Sequence, residues 1–104
     1  MSPSHMYEVA PEPRLSIVIP AKNEAGSIAQ QLAELDTVLA PLAPFEVIYV
    51  VDGSTDESLK ELARADRPWL RVIVHAESCG KSAAVLTGVR AARAPIVSTL
   101  DGDG

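Results

Sequence analysis

The sequence is poor in cysteine and in long apolar runs. Its 104 residues include a single cysteine, Cys79. One cysteine cannot form a disulfide within the chain, so a reducing compartment is the expected environment. No apolar run approaches the roughly 18 residues that a membrane-spanning helix needs, and no signal-peptide pattern is present. With 47% hydrophobic residues, the composition predicts a globular protein, and we expect it in the cytoplasm.

Basic residues are also scarce. Nine Lys and Arg stand against 14 Asp and Glu, which gives a formal net charge of −5. This balance disfavours nucleic acid as a partner, because nucleic-acid binding normally needs a basic face. An acidic protein that holds phosphate at its carboxylates needs a cation between them, so any phosphate site should involve a divalent metal.

Several common functional motifs are missing. The loop after the first predicted strand contains only Gly26, which argues against a dinucleotide fingerprint. The stretch "CGKS" (79–82) lacks the glycine that a Walker loop needs five residues before Gly80, where His75 stands. No Ser-His-Asp set or zinc spacing is apparent. We therefore interpret His75 and Cys79 as structural or incidental.

What the chain does contain is a regular alternation of strand and helix patterns after a proline-rich leader. We expect residues 1–14 to be flexible and residues 15–104 to form one domain. Short apolar, β-branched runs predict strands, and apolar residues at helical spacing predict helices. The predicted strands are 15–19, 45–51, 70–75 and 96–100, and the predicted helices are 28–40, 56–65 and 82–93.

This β-α-β-α-β-α-β order predicts an α/β fold, a Rossmann-like parallel sheet covered by helices on both faces to give three layers. The first strand is expected to stop at Pro20, and the fourth has the composition of a buried strand. Ser27 and Gln30 have the spacing of a capping box. In the second helix, Leu59, Leu62 and Ala63 are expected to face inward.

Polar stretches follow all four predicted strands. Because the carboxyl ends of parallel strands lie along one edge of the sheet, where ligands bind, these stretches are expected to converge on one site. They are "PAKNEAG" (20–26), "DGSTD" (52–56), "AESCGKS" (76–82) and "DGDG" (101–104).

Each stretch also has an ordinary structural interpretation. "DGSTD" suits a strand-to-helix turn, whereas a functional Asp52 would accept hydrogen bonds from N–H groups of a ligand. Asn23 and Glu24 lie in a loop that is either merely solvated or offers an amide and a carboxylate to a ribose or base. Lys81 either contacts a phosphate or is a solvated lysine at a helix start.

The two final aspartates favour a metal site. Asp101 and Asp103 would place two hard oxygen ligands near one point, which suits Mg²⁺ or Mn²⁺. Such a cation can bridge a diphosphate and stabilise it as a leaving group. The same motif also fits a phosphatase of the haloacid dehalogenase type, with Asp101 as nucleophile and Asp103 as acid/base. That motif normally follows the first strand, whereas three strand-helix units precede it here.

Taken together, the motifs resemble a known family. "LSIVIPAKNEAGSI", "EVIYVVDGSTDES" and "GKSAAVLTGVRAARAPIVSTLDGDG" are similar to the amino-terminal half of family 2 glycosyltransferases, which have the GT-A fold. The resemblance covers residues 15–104 and is strongest to the dolichol- or polyprenyl-phosphate sugar transferases. It implies metal-dependent transfer of a sugar from a UDP- or GDP-sugar, with expected inversion, and suggests a polyprenyl phosphate as one acceptor.

The resemblance also implies residue roles. Asp52 would contact the base, and Asp101 and Asp103 would form the DxD pair that holds the metal. The residues implied in nucleotide binding are Pro20, Ala21, Asn23, Glu24, Asp52, Ser54, Lys81 and Gly102. One departure is Val51, which stands where the family usually has the first aspartate of "VDDGS", so local polarity and nucleotide preference are expected to differ.

The resemblance further implies that the chain is an amino-terminal fragment. The acceptor site and the general base would lie beyond Gly104, along with any segment that attaches the protein to the cytoplasmic face of a membrane. By itself the chain is expected to bind nucleotide weakly and to transfer no sugar. A non-catalytic nucleotide- or metal-binding module is the remaining alternative.

Overall fold

The computed structural model describes residues 12–22, 26–53, 56–65 and 67–100. Within them, four strands alternate with three helices, as the sequence predicts. The elements are β1 (Leu15–Ala21), α1 (Ile28–Leu39), β2 (Phe45–Asp52), α2 (Asp56–Arg64), β3 (Leu70–His75), α3 (Lys81–Ala91) and β4 (Ile96–Thr99), with a 3₁₀ turn (Ala40–Leu42) after α1.

The four strands form one parallel sheet in the order β3-β2-β1-β4. From β1 the chain moves outward to β2 and β3, and it then crosses back to place β4 on the other side of β1. The direction of winding therefore reverses between β1 and β4. In open α/β sheets, the carboxyl edge at such a reversal is the usual ligand-binding position.

Helices cover both faces of the sheet, which confirms the predicted three layers. On one face, alternate residues of β1 and β2 pack under α1 and Leu62 of α2. On the other, Val18, Ile48 and Val50 pack against Ala84 of α3. Because both faces are covered, β1 and β2 read as continuous apolar runs instead of alternating ones. The four apolar residues that recur at helical spacing in α1 are all buried: Ile28, Leu32, Leu35 and Leu39.

Strand β1 does not stop at Pro20 but runs on to Ala21. Within residues 12–22 and 67–100, the last hydrogen bond between β1 and β4 is the one that the Leu100 N–H donates to the Val18 carbonyl at 2.9 Å. Backbone groups two residues apart face the same side of a strand, so the missing N–H of Pro20 faces β4 just beyond this last bond. Proline is tolerated there because the ladder needs no further donor from β1.

Three local expectations are wrong. Ser27 stands at the N-cap of α1 in a helical conformation and makes no capping hydrogen bond with its side chain, so the capping box is not formed. Ala63 is exposed, since only Leu59 and Leu62 of the predicted set turn toward the core. Strand β4 is an edge strand whose four residues are all exposed.

Helix α3 approaches β1 unusually closely at Gly88. A Cβ atom added there would overlap Cγ1 of Val18. Glycine at this position therefore allows α3 to pack closely on β1.

Replacing Gly88 by alanine should lower the free energy of unfolding by about 1–3 kcal/mol, because the new methyl group overpacks the contact with Val18. In an open helix the same change would raise stability by roughly 0.5–1 kcal/mol. Chemical denaturation of Gly88→Ala, Val18→Ala and the double variant measures the effect. The double variant should lose less than the sum of the single losses, and a more stable Gly88→Ala protein would contradict the close contact.

A buried carboxylate, Glu46, ties the elements together at the amino end of the sheet. Its Oε2 accepts hydrogen bonds from Ser16 Oγ at 2.6 Å and from the Arg93 backbone N–H at 2.7 Å. Its Oε1 accepts from Arg71 Nη1 at 2.9 Å and from Arg93 Nε at 3.3 Å. Ser16 Oγ in turn accepts the Ala94 N–H at 3.2 Å. The carboxylate thus links β1, β2 and β3 to the segment that leads from α3 into β4.

Burial disfavours the charged form of Glu46, but hydrogen bonds from Ser16, the Arg93 N–H and Arg71 outweigh it and lower the pKa of this carboxyl. We expect Glu46→Gln to cost about 1–3 kcal/mol of unfolding free energy at pH 7, because buried donors lose their acceptor. A group with a lowered folded-state pKa stabilises the fold above its unfolded pKa, so the difference from wild type should shrink as the pH falls below the unfolded value of about 4.

Urea unfolding of both proteins, measured at steps of about one pH unit between roughly pH 3 and pH 7, checks this dependence. The exposed Glu34 on α1 provides the matched control, because Glu34→Gln removes a carboxylate without emptying a buried network. A difference between wild type and Glu46→Gln that stays constant with pH would contradict the assignment.

Candidate functional site

A crevice opens at the carboxyl edge between β1 and β4, where the winding of the sheet reverses. It has a volume of about 230 Å³ and is lined by Pro20, Lys81, Val85, Thr99 and Leu100. Two of the predicted site residues, Pro20 and Lys81, therefore meet here although they are 61 residues apart in the sequence. Lys81, the first residue of α3, brings a cationic side chain to this opening.

Ala21 belongs to the same predicted set, but its side chain is buried in the core beneath α1, beside Val51. The next residue, Lys22, is exposed, and its Nζ donates to Ser78 Oγ at 3.0 Å. The loop after β1 is thereby joined to the loop after β3.

Asp52, the last residue of β2, is the most heavily hydrogen-bonded group of this edge. Its Oδ1 accepts the Cys79 backbone N–H at 2.9 Å, and its Oδ2 accepts the Gly80 backbone N–H at 3.0 Å and Ser78 Oγ at 3.1 Å. The fourth partner is His75, whose Nδ1 lies 2.9 Å from Oδ1. We call Asp52 together with these four partners the Asp52 clasp.

These bonds keep Asp52 ionised. The Cys79 N–H makes the largest contribution, and with His75, the Gly80 N–H and Ser78 it outweighs burial and lowers the pKa of Asp52 to about 2. An ionised carboxylate only accepts hydrogen bonds, so Nδ1 of His75 must carry a proton. The other ring nitrogen, Nε2, lies 2.8 Å from the Thr87 hydroxyl on α3, within hydrogen-bond distance.

Gly53 allows the loops after β2 and β3 to come into contact. It has a φ of +69°, and a Cβ atom added there would lie 2.8 Å from the backbone nitrogen of Ser78. Its own N–H donates to the His75 carbonyl at 3.1 Å. The glycine of "DGS" is thus required by both its backbone conformation and the adjacent loop.

Sequence reasoning identified Asp52 but not its partners. His75 lies directly opposite Asp52 in the β2–β3 register. A signal was available, because neighbouring parallel strands that both end in a polar residue bring those residues together. The contacts of Cys79 and Gly80 had no such signal, since they depend on how the loop after β3 folds back.

Asp52, His75 and Cys79 also bring possible metal-ligand atoms within 4.8 Å of one another. The carboxylate, however, already accepts four hydrogen bonds, and both ring nitrogens of His75 are engaged. A cation would have to displace several of these donors. We therefore assign this cluster to hydrogen bonding instead of metal binding.

The remaining predicted site residues lie outside the described part of the chain. They are Asn23, Glu24, Ser54, Asp101, Gly102 and Asp103. The described chain ends at Leu100, which lines the crevice and precedes Asp101 in the sequence. Among the helices of the described ranges, none has the length and hydrophobicity to cross a membrane.

Replacing Asp52 by asparagine should cost about 1–3 kcal/mol of unfolding free energy at pH 7, because the two loop N–H groups lose an ionised acceptor. The lowered pKa means that wild-type Asp52 stabilises the fold above about pH 4 and loses this contribution as the pH falls toward 2. The wild-type and variant curves should therefore converge in acid.

Denaturant unfolding over this pH range provides the measurement. Asp36 makes an exposed ion pair with Arg67 at 2.8 Å, so Asp36→Asn serves as the control and should cost less than about 1 kcal/mol. Equal losses for the two variants would contradict a special role of the clasp in stability.

Comparison with known proteins places this geometry in context. The sequence profile described as "Glycosyl transferase family 2" matches residues 16–104. The chain is 30% identical over 102 residues to the undecaprenyl-phosphate 4-deoxy-4-formamido-L-arabinose transferase of Klebsiella pneumoniae (strain 342), covering 94% of this chain and 31% of that protein. It is 37% identical over 94 residues to the enzyme of the same name from Pseudomonas fluorescens (strain Pf-5), covering 86% and 27%.

Two solved structures also have a fold similar to that of this chain. The mannosyltransferase PcManGT from Pyrobaculum calidifontis, in complex with GDP-Man and Mn²⁺, matches with a TM-score of 0.74 and 30% identity over 92% of this chain and 30% of that one. S. aureus TarS matches with a TM-score of 0.70 and 25% identity over 86% and 16%.

The chain thus spans about a third or less of the length of these relatives. The family profile, by contrast, covers every described strand and helix except the first residue of β1. The fold, the polar carboxyl edge and this match agree, and the chain belongs to glycosyl transferase family 2.

Proposed function

We propose that this protein takes part in transferring a sugar from a nucleotide-diphosphate sugar to an acceptor. Residues 15–104 would form the part that binds the nucleotide sugar. The observation that carries the proposal is the crevice at the winding reversal, where Pro20 and Lys81 meet beside the end of β4. Its position is the one at which open α/β sheets bind nucleotides.

The charges at this edge suit a diphosphate. Lys81 lines the crevice, and Lys22 lies on the adjoining loop. Two lysines offset only part of the charge of a diphosphate, and the chain that carries them still has a net charge of −5, so a divalent cation would complete the neutralisation. Asp101 and Asp103 offer the hard oxygen ligands that Mg²⁺ or Mn²⁺ prefers, and they follow directly on a residue of the crevice wall.

A cation bound by Asp101 and Asp103 would stabilise negative charge on the departing diphosphate. The chain itself would contribute shape and positive charge, with Pro20 at the crevice wall and Lys81 near the phosphates. Asn23, Glu24, Ser54 and Gly102 remain proposed nucleotide contacts from the sequence. We further propose that the reaction inverts the configuration of the transferred sugar.

The relatives support a choice of partners. PcManGT was solved with GDP-Man and Mn²⁺, which supports a nucleotide-sugar donor and Mn²⁺ as cation, with the base, guanine or uracil, left open. Two relatives are named for transfer to undecaprenyl phosphate, which supports a polyprenyl phosphate acceptor. Such an acceptor would place the reaction at the cytoplasmic face of a membrane. No described feature favours the phosphatase alternative, and the family match argues against it.

Isothermal titration of the chain with GDP and UDP, with and without Mn²⁺, tests the proposal. We expect binding of at least one nucleotide to weaken about tenfold or more when the metal is removed, equivalent to about 1.4 kcal/mol. An Asp101→Asn/Asp103→Asn double variant should show the same weakening in the presence of Mn²⁺.

The Glu34→Gln variant, which removes an exposed carboxylate from α1, should bind like wild type. Binding that is equally strong with and without Mn²⁺ would remove the metal from the proposal. Failure of a folded chain to bind either nucleotide under all conditions would remove the donor site itself.

A further inference from the structure

We propose that the hydroxyl group of Thr99 binds a phosphate oxygen of the nucleotide diphosphate in the crevice, beside Lys81. Thr99 is the last residue of β4, and it lines the crevice. The sequence motifs do not single it out as a site residue. This inference rests on the proposed function, because it adds a binding residue to the same donor site.

The register of the sheet places the Thr99 side chain on the side of α3. Thr99 lies opposite Val18 in the parallel ladder between β1 and β4. Directly opposite residues of neighbouring strands project from the same face of a sheet, and Val18 packs against Ala84 of α3. Thr99 therefore projects toward α3, whose residues Lys81 and Val85 also line the crevice.

The polarity of this face of β4 changes where the strand reaches the crevice. Val97, two residues before Thr99, projects from the same face and is apolar. Most of the crevice wall is apolar as well, since it includes Pro20, Val85 and Leu100. Among the described residues that line the crevice, Lys81 and Thr99 therefore supply the polar side-chain atoms.

The Thr99 hydroxyl makes no hydrogen bond to any residue that the structure describes. The same holds for the hydroxyl of the neighbouring Ser98, so the lack of a protein partner does not by itself indicate a ligand. The two residues differ in location. Ser98 lies opposite Ile17, on the face of the sheet that α1 covers, whereas Thr99 lines the crevice. Thr99 thus brings an unused hydroxyl to the proposed donor site.

The surroundings of Thr99 favour a phosphate oxygen as its partner. The cationic side chain of Lys81 lies at the same opening, and a cation beside a hydroxyl donor suits an anionic oxygen. Asp101, one of the two proposed metal ligands, follows Thr99 by two residues in the sequence. The hydroxyl, the lysine and the proposed cation would therefore all serve the same diphosphate.

Thr99 also has an ordinary structural interpretation, because β-branched residues are common in strands. Thr99→Val separates the two interpretations, since valine keeps the branched shape and lacks the hydroxyl. If the hydroxyl binds phosphate, GDP and UDP should each bind about tenfold more weakly to this variant in the presence of Mn²⁺. Stability toward denaturant should stay at the wild-type level, because no hydrogen bond of the described fold is lost.

Two further variants serve as controls in titrations of the full chain. Ser98→Ala removes a hydroxyl from the adjacent residue on the opposite face of the sheet and should bind like wild type. Thr99→Ser keeps the hydroxyl and should retain most of the affinity. Wild-type affinity of Thr99→Val for both nucleotides would overturn the proposal, and so would equal losses in Thr99→Val and Thr99→Ser.

Inorganic pyrophosphate tests which part of the nucleotide the hydroxyl contacts. It contains the diphosphate without ribose or base, and its binding is measured by displacement of GDP. A phosphate contact predicts that Thr99→Val weakens pyrophosphate by the same factor as GDP and UDP. A loss confined to the two nucleotides would place the contact on the nucleoside and overturn the phosphate assignment, as would pyrophosphate that does not compete with GDP.

The result for wild type distinguishes a failure of this inference from a failure of the proposed function. If wild type binds a nucleotide and Thr99→Val binds it equally well, the donor site stands and the role of Thr99 is wrong. If folded wild type binds neither nucleotide, the proposed function is refuted, and the role of Thr99 with it.

Discussion

The structure depends on a carboxylate that must remain charged at the end of a buried strand. Asp52 closes β2, and taking its charge out of water is tolerated only because four donors surround it. Those donors come from the end of β3 and the loop that follows it. These hydrogen bonds tie the end of β3, the loop after it and the N-cap of α3 to the end of β2.

The sequence predicted the elements well because their signals are local. Apolar runs and helical spacing predicted seven elements in their observed order, and parallel topology predicted that the polar loops share one edge. The failures have nonlocal causes. Ala63 has the right spacing to face inward, yet it is exposed, whereas its neighbour Leu62 is buried in the core. Pro20 is accepted within β1 only because the ladder to β4 ends beside it.

The sequence predicted which residues lie at the candidate site, but it did not predict their hydrogen-bond partners. Pro20 and Lys81 meet at the crevice as expected, whereas the partners of Asp52 depend on a loop whose path has no sequence signature. Val51 shows the same limit. The sequence raised a doubt about the pocket, but Val51 is fully buried beneath α1, on the face of the sheet opposite Asp52. The substitution therefore leaves the Asp52 clasp untouched.

Strand β2 carries a second buried carboxylate, Glu46, at the end opposite Asp52. Comparing variants of the two carboxylates distinguishes an effect on stability from an effect on nucleotide binding. Glu46 and Asp52 each gather four donors from neighbouring elements and have lowered pKa values. Glu46 lies at the amino edge, away from the crevice, and its network orders the entry into β4. Asp52 orders a loop that ends at Lys81. Because the two groups share a strand and a chemistry, variants of the two carboxylates compare the cost of disturbing a buried charge at the carboxyl edge with the same cost away from it.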